Sequence, residues 1–206
     1  LEKTAMSAII LAGGKSSRMG ENKLLLPLGD TTVIGHLVKS LSGLFAQCIV
    51  VTDDPEPYRA LPVITTGDLF PCSVRNSLVG IYSGLLASGH SYNLVVAGDM
   101  PFLAPALAGY LCLLREGYDV VLPRQGRHLQ PLCAVYHRRC CEQIEQFLST
   151  GRYRVTDLFD YLHVLHVDTE ELKPYDPELL SFFNLNTPED YLLAQEIYAN
   201  IKEAKE

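Results

Sequence analysis

The stretch Ser7-Ala8-Ile9-Ile10-Leu11-Ala12-Gly13-Gly14-Lys15-Ser16-Ser17-Arg18-Met19-Gly20-Glu21-Asn22-Lys23 sets the terms for the rest of the chain. Its first five residues, four of them apolar, have the length and composition of a buried strand. A loop rich in glycine and in cations follows. Gly13 and Gly14 let the backbone come close to a ligand. Successive exposed N–H groups can then cradle an anion. Lys15, Arg18 and Lys23 put three cations within nine residues, against the single acid Glu21. The spacing is not Gly-x-x-x-x-Gly-Lys-Ser/Thr, which excludes a Walker A loop. It is not Gly-x-Gly-x-x-Gly either, which excludes the dinucleotide fingerprint. A Gly-Gly pair alone would be an ordinary solvated turn. Together with a buried strand and clustered cations it reads as a phosphate loop.

The same alternation continues outward. Thr31 and Thr32 stand where a helix N-cap belongs, ahead of Ile34, Leu37, Val38 and Leu41 on one helical face. Residues 47–51 read as a second strand, closed by Thr52-Asp53-Asp54-Pro55, and residues 63–65 as a short third. Asn76 or Ser77 caps a helix reaching about Ser88, and residues 93–97 form a strong strand that stops at Gly98-Asp99-Met100-Pro101. A helix over 105–115, strands over 120–123 and 132–136, helices over 139–149 and 155–161 and a strand over 163–167 follow. Thr187-Pro188-Glu189-Asp190 opens a last helix, with Thr as cap and Pro in the first turn. Strands alternating with helices predict the α/β class, with three helix–sheet–helix layers and a mostly parallel sheet. Ligands of such sheets gather at the carboxyl ends of the strands. Three polar segments fall there: residues 12–23, Gly67-Asp68 and Gly98-Asp99. A carboxylate at Asp99 suits a hard cation near phosphates. The plainer reading is a turn aspartate ahead of Pro101.

Composition bounds the function. The 206 residues suit one α/β domain with a real core, and 48% hydrophobic against 20% charged residues is globular usage. A net charge of −7 supplies no basic field for nucleic acid, so anions must be met by local cations. No apolar run has the length of a membrane span, and the residues before Met6, nearer which a native start is expected, lack a secretory apolar stretch. The six cysteines form no Cys-x-x-Cys and read as reduced thiols of a cytoplasmic protein, with the vicinal pair Cys140–Cys141 as a redox alternative. His163 and His166, three apart in a strand, point to opposite faces and make no metal pair.

Leu-Ala-Gly-Gly-x-Ser-x-Arg-Met-Gly-x-x-Lys, starting at Leu11, resembles the signature of NTP transferases with a Rossmann-like fold. Within them the chain most resembles the molybdenum cofactor guanylyltransferases, which join GMP from GTP to molybdopterin. The likeness runs on through Gly98-Asp99-Met100-Pro101, Gln130-Pro131-Leu132-Cys133-Ala134-Val135-Tyr136 and Asn184-Leu185-Asn186-Thr187-Pro188-Glu189-Asp190, nearly end to end. It implies a magnesium-dependent nucleotidyltransferase in one domain over 1–206. Residues 6–100 would bind the nucleotide and 101–190 the acceptor. Leu11, Ala12, Gly13 and Gly14 would contact the nucleotide, Lys15, Arg18 and Lys23 its phosphates, Asp68 would lie beside it, and Asp99 would bind magnesium. Arg18, Lys23 and Asp99 would be the catalytic set. Arg124, Arg127 and His128, with Gln130, Asn184 and Asn186, are the candidate acceptor contacts, alongside plain loop and cap roles. GTP and molybdopterin are the implied substrates, with molybdoenzymes or cofactor-insertion proteins as partners, and neither nucleic acid nor membrane.

Two positions depart from that family's pattern. Thr52 stands where it usually has Asn, and Asn76-Ser77-Leu78-Val79-Gly80 where it usually has Gly-Pro-Leu-x-Gly. Rival readings are a cytidylyl or a sugar- or polyol-phosphate relative, a Rossmann oxidoreductase, and a non-catalytic nucleotide-binding partner of a molybdoenzyme. Cytidylyl relatives tend to Ala-Ala-Gly where this chain has Leu11-Ala12-Gly13, the missing dinucleotide fingerprint counts against the oxidoreductase, and Lys23 with Asp99 counts against the non-catalytic partner.

Overall fold

A computed structural model describes residues 4–13, 22–71 and 74–203. The chain begins with strand β1 (Thr4–Leu11), then a small hairpin of β2 (Pro27–Leu28) and β3 (Thr31–Thr32), helix α1 (Val33–Ser42), β4 (Phe45–Val51) and β5 (Ile64–Thr66). Helix α2 (Ser77–Ala87), β6 (Tyr92–Ala97) and α3 (Pro105–Leu113) follow. The second half holds β7 (Val120–Gln125), β8 (His128–Leu129), β9 (Cys133–His137), α4 (Cys140–Ser149), β10 (Val164–Asp168), α5 (Thr169–Leu172) and α6 (Pro188–Glu203). The main sheet runs β10-β7-β9-β6-β1-β4-β5, with β8 paired to β7. β5, β4, β1 and β6 are mutually parallel, as are β7 and β10. In the main sheet β9 runs against both its neighbours, and β8 against β7.

Strand alternation divides the core into two faces. Ala8, Ile10, Val50, Leu94, Val96 and Val135 point to the face covered by α1 and α3. Ile9, Ile49, Val51, Val95, Ala134 and Tyr136 point to the face covered by α2 and α4. The strands therefore carry apolar residues at consecutive positions, as sheets covered on both sides require. Ile9 and Ile10 are both fully buried, each contributing about 1.5–3 kcal/mol. A third cluster, Leu28, Val33, Leu185 and Ala194, docks α6 on the small hairpin.

The helices begin where their caps dictate. The Thr32 hydroxyl accepts from the Gly35 amide at 3.2 Å, and Ile34, Leu37, Val38 and Leu41 are all buried on the sheet side of α1. The Asn76 side chain accepts from the Leu78 and Val79 amides at 2.8 and 3.2 Å and starts α2. The Thr187 hydroxyl accepts from the Asp190 amide at 3.1 Å and starts α6. The hairpin β7–β8, read from sequence as a plain loop, turns at Gly126, whose φ is +57°.

Helix α2 is buried from Leu78 to Leu85, and small residues let it lie close to the sheet. A Cβ on Gly84 would run into Cγ2 of Ile9 on β1, and one on Gly80 would meet the Leu11 side chain at 3.2 Å. Gly84→Ala should therefore cost about 1–3 kcal/mol of stability through overpacking, read as an earlier urea midpoint. Gly89→Ala, where a Cβ meets nothing within 4 Å, is the control and should leave the midpoint nearly unchanged.

Candidate active site

The chain passes from β1 outward to β4 and β5, then returns to the other side of β1 as β6. The loops leaving β1 and β6 therefore part from one another at their carboxyl ends, and the crevice between them is where such folds take ligands. At its floor the Gly98 amide donates to Leu11 O at 2.9 Å, and on the other side of β1 the Ala12 amide donates to Val51 O at 3.0 Å.

Lys23 and Asp99 meet at this edge. The Lys23 ammonium donates to Oδ2 of Asp99 at 2.5 Å and to Oδ1 of Asn186 at 3.0 Å. Each position is set by a neighbour in the core. Lys23 opens a single 3₁₀ turn capped by Asn22, whose side chain accepts from the Leu24 amide at 3.1 Å. Leu24 is 5% exposed, which fixes the exit of the loop. Asp99 lies between Gly98, where a Cβ would crowd Leu11 O and Leu24 Cδ1 at 3.0 Å, and Met100, which is 2% exposed. The Leu185 amide donates to Asp99 O at 3.0 Å and brings the Asn184–Asn186 stretch over the turn. Oδ1 of Asp99 is buried and has no hydrogen-bond partner among the described residues. A buried, unpaired carboxylate oxygen is costly to leave so, and it suits a cation ligand. Among the described residues no group of three or more His, Cys, Asp or Glu could hold a metal. A single carboxylate fits magnesium, which keeps waters and phosphate oxygens as its other ligands.

On the α2 side of Leu11 lies a cleft of about 260 Å³, lined by Leu11, Gly13, Val51, Thr52, Asp53, Asp68, Arg75, Asn76, Ser77 and Gly80. Asp53 and Arg75 form an ion pair there at 2.8 Å. Partial burial and the nearby Asp53 carboxylate raise the pKa of Asp68, with Arg75 opposing. The Thr52 hydroxyl is turned into its own loop, where it accepts from the Asp54 amide at 3.2 Å.

The structure thus gathers Leu11, Gly13 and Asp68 around one cleft and Lys23, Asp99 and Asn186 in one contact chain, with Ala12 between the two. Gly14, Lys15 and Arg18 lie outside the described residues. Arg127 is exposed beyond the Gly126 turn, and the Gln130 amide is tied to Pro123 O at 2.9 Å. Arg124 is taken up by Asp168 in a bidentate pair, at 2.9 and 3.1 Å. The Asn184 side-chain Nδ2 donates to Phe182 O at 2.9 Å within its own loop. Sequence reasoning missed Asp53 and Arg75. Their signal was place: Asp53 follows the second strand at its carboxyl end, and Arg75 is the cation just ahead of α2.

Residues 8–165 match the MobA-like NTP transferase domain. The chain belongs to the MobA-like NTP transferase family. Relatives bear this out along their length. The chain is 38% identical to the "Probable molybdenum cofactor guanylyltransferase" of Pelotomaculum thermopropionicum, over 94% of each protein. It is 37% identical to the "Molybdenum cofactor guanylyltransferase" of Desulfosudis oleivorans, over 90% of this chain and 92% of that one. Among solved structures, the molybdopterin-guanine dinucleotide biosynthesis protein A of Archaeoglobus fulgidus superposes with a TM-score of 0.82 at 27% identity, covering 94% of this chain and 99% of that chain. Within the MobA-like fold, Asn76 here caps α2 at the rim of the cleft, so the helix entry is built by side-chain capping.

The vicinal cysteines lie on α4, on the face away from Leu24 and Met100. Burial pushes the Cys140 thiol up to about 12 and the Cys141 thiol up to about 11. Cys112 and Cys133 are likewise pushed up to about 12. Only thiolates react, so at pH 8 a thiol with a pKa of 12 is ionised in about one molecule in ten thousand. Native protein at pH 8 should resist iodoacetamide at Cys112, Cys133 and Cys140, read by peptide mass spectrometry, and label fully in 6 M guanidinium. Rapid native labelling of Cys140 would restore the redox reading.

Proposed function

We propose that this protein transfers GMP from GTP to the terminal phosphate of molybdenum-loaded molybdopterin and releases pyrophosphate. The observation that supports this most is the Lys23–Asp99 pair at the edge of the β1–β6 crevice, with Oδ1 of Asp99 buried and without a hydrogen-bond partner among the described residues. It stands beside a cleft walled by Leu11 and Gly13, in a chain whose relatives are named for that transfer. The base enters the cleft on the α2 side. Guanine carries donors at N1 and N2 next to acceptors at O6 and N7. The carboxylates of Asp53 and Asp68 and the guanidinium of Arg75 offer the complementary groups. The triphosphate then crosses the backbone of Ala12, Gly13 and Gly14 toward Lys23, with Lys15 and Arg18 as further cations.

An oxygen of the acceptor phosphate attacks the α-phosphorus of GTP. A new P–O bond forms, the bond from the α-phosphorus to the bridging oxygen breaks, and the electron pair leaves with pyrophosphate. The acceptor is ionised near neutral pH, so no side-chain base is needed. Lys23 holds phosphate oxygens as charge passes to the leaving group, which is chiefly positioning and electrostatic work. Asp99 would hold magnesium, which when bound supplies charge neutralisation at the phosphate oxygens. Arg127, Gln130 and Asn184 are assigned to the acceptor side. The reaction is placed in the cytoplasm, with the product passed to molybdoenzymes or cofactor-insertion proteins.

Transfer to molybdenum-loaded molybdopterin, measured with each of the four NTPs, should be fastest with GTP. Faster transfer from CTP would overturn the guanylyl reading and leave the nucleotidyl chemistry standing. Lys23→Ala should weaken GTP binding by about 10–150-fold, the range for a hydrogen bond to a charged group, with its melting temperature little changed. Asp99→Asn keeps the shape and removes the charge. It should cut turnover far more than GTP affinity and recover partly at raised magnesium. A turn aspartate with no metal role would tolerate asparagine, itself a good turn residue, so near-normal turnover at low magnesium would leave Asp68 as the better ligand.

A further inference from the structure

We infer that Asn186 serves the nucleotide side of the site as a positioning residue for Lys23, and that Asp190 holds Asn186 to that task. The inference rests on the reading of Lys23 as a phosphate ligand. A lysine side chain is long and its ammonium has three donors that rotate freely. Near Asp99 one direction is set by the carboxylate at 2.5 Å. The second is set by the amide oxygen of Asn186 at 3.0 Å, from a residue 163 positions away.

The backbone that carries that oxygen is itself held. The Asp190 carboxylate accepts from the backbone N–H groups of Asn186 and Thr187, both at 2.8 Å, while the Thr187 hydroxyl accepts from the backbone N–H of Asp190 at 3.1 Å. Leu185, the residue before Asn186, is fully buried, and its amide donates to Asp99 O at 3.0 Å. A chain of contacts therefore runs from Asp190 through Asn186 and Lys23 to Asp99.

The chemistry of the second partner matters. An amide oxygen directs the ammonium without neutralising it, so Lys23 keeps its charge for phosphate. A carboxylate in the same place would consume that charge. When Asp99 turns to a cation, Asn186 remains as the acceptor that keeps the ammonium aimed across the crevice. This function is distinct from contact with the acceptor substrate, because it acts before any acceptor binds.

The test is calorimetric titration of GTP with magnesium chloride into the intact protein, with no acceptor present. Asn186→Ala should raise the Kd about tenfold, the lower end for a hydrogen bond to a charged group at an exposed site. Asn186→Asp keeps the oxygen in place and should weaken binding at least as much, which a merely structural role does not anticipate. Asp190→Ala should weaken binding less than Asn186→Ala, and Asp190→Asn, which retains an acceptor oxygen, should restore it. In a Lys23→Ala background Asn186→Ala should have no further effect, since contacting residues couple in a double-mutant cycle. Wild-type affinity in Asn186→Ala, or full additivity with Lys23→Ala, would overturn the inference. Wild-type affinity in Lys23→Ala itself would instead overturn the phosphate role of Lys23.

Discussion

The hydrogen bond from the Gly98 amide to the Leu11 carbonyl joins the two strand ends on which the site depends. β1 is the strand beside which the sheet changes its order of growth, and its loop and that of β6 must separate while their bases stay in contact. The close approach leaves little room for a Cβ at Gly98, which would crowd both Leu11 O and Leu24. From that junction the same device is repeated. Lys23 is followed by buried Leu24, Asp99 by buried Met100, and Asn186 is preceded by buried Leu185. Polar groups at the crevice are thus carried by loops but aimed by core residues one step away. Loop-borne chemistry keeps its geometry in this way without a rigid element beneath each side chain.

Charge follows the same economy. A chain of net charge −7 has to gather cations locally to meet a polyanion. Lys23 and Asp99 have side chains only 20% and 16% exposed, and a charge so placed needs a partner. Without substrate each serves as the other's counterion. On the proposed reading, a triphosphate with its cation would offer each a replacement of the right sign: phosphate oxygens for Lys23, the cation for Asp99. The pair therefore prepares the site without a like-charge conflict that binding would have to overcome.

Much of this was legible in the residues. Strands covered on both faces read as unbroken apolar runs, so residues 8–11 and 94–97 announced β1 and β6. Thr32, Asn76 and Thr187 announced helix starts because their side chains compete for free amides. The same continuity of apolar residues hid the direction of β9. A strand buried on both faces looks alike whichever way it runs, so its reversal between β6 and β7 had no local sign. Partners distant in sequence were hidden too. Nothing near Arg124 points to Asp168, and nothing near Asp53 points to Arg75. The cations Lys15 and Arg18 were read from composition and motif and lie outside the described residues.

The contact between Lys23 and Asn186 has a consequence for how the site is assembled. The MobA-like domain match ends at residue 165, before the segment that carries Asn186. That segment reaches the crevice by way of the third core cluster, in which Leu185 and Ala194 meet Leu28 and Val33. The cluster is small and separate from the two that sandwich the sheet, and segments held by few buried apolar contacts open locally at lower cost than a large core. Opening there would lift Leu185 from Asp99 O and Asn186 from Lys23 while β1, β4 and β6 stayed paired. The cleft beside α2 would keep its walls, since none of its lining residues lies beyond Gly80. On the proposed reading, the cleft that would take the base is built by residues up to Gly80, while Lys23 is aligned by a contact that the C-terminal segment completes.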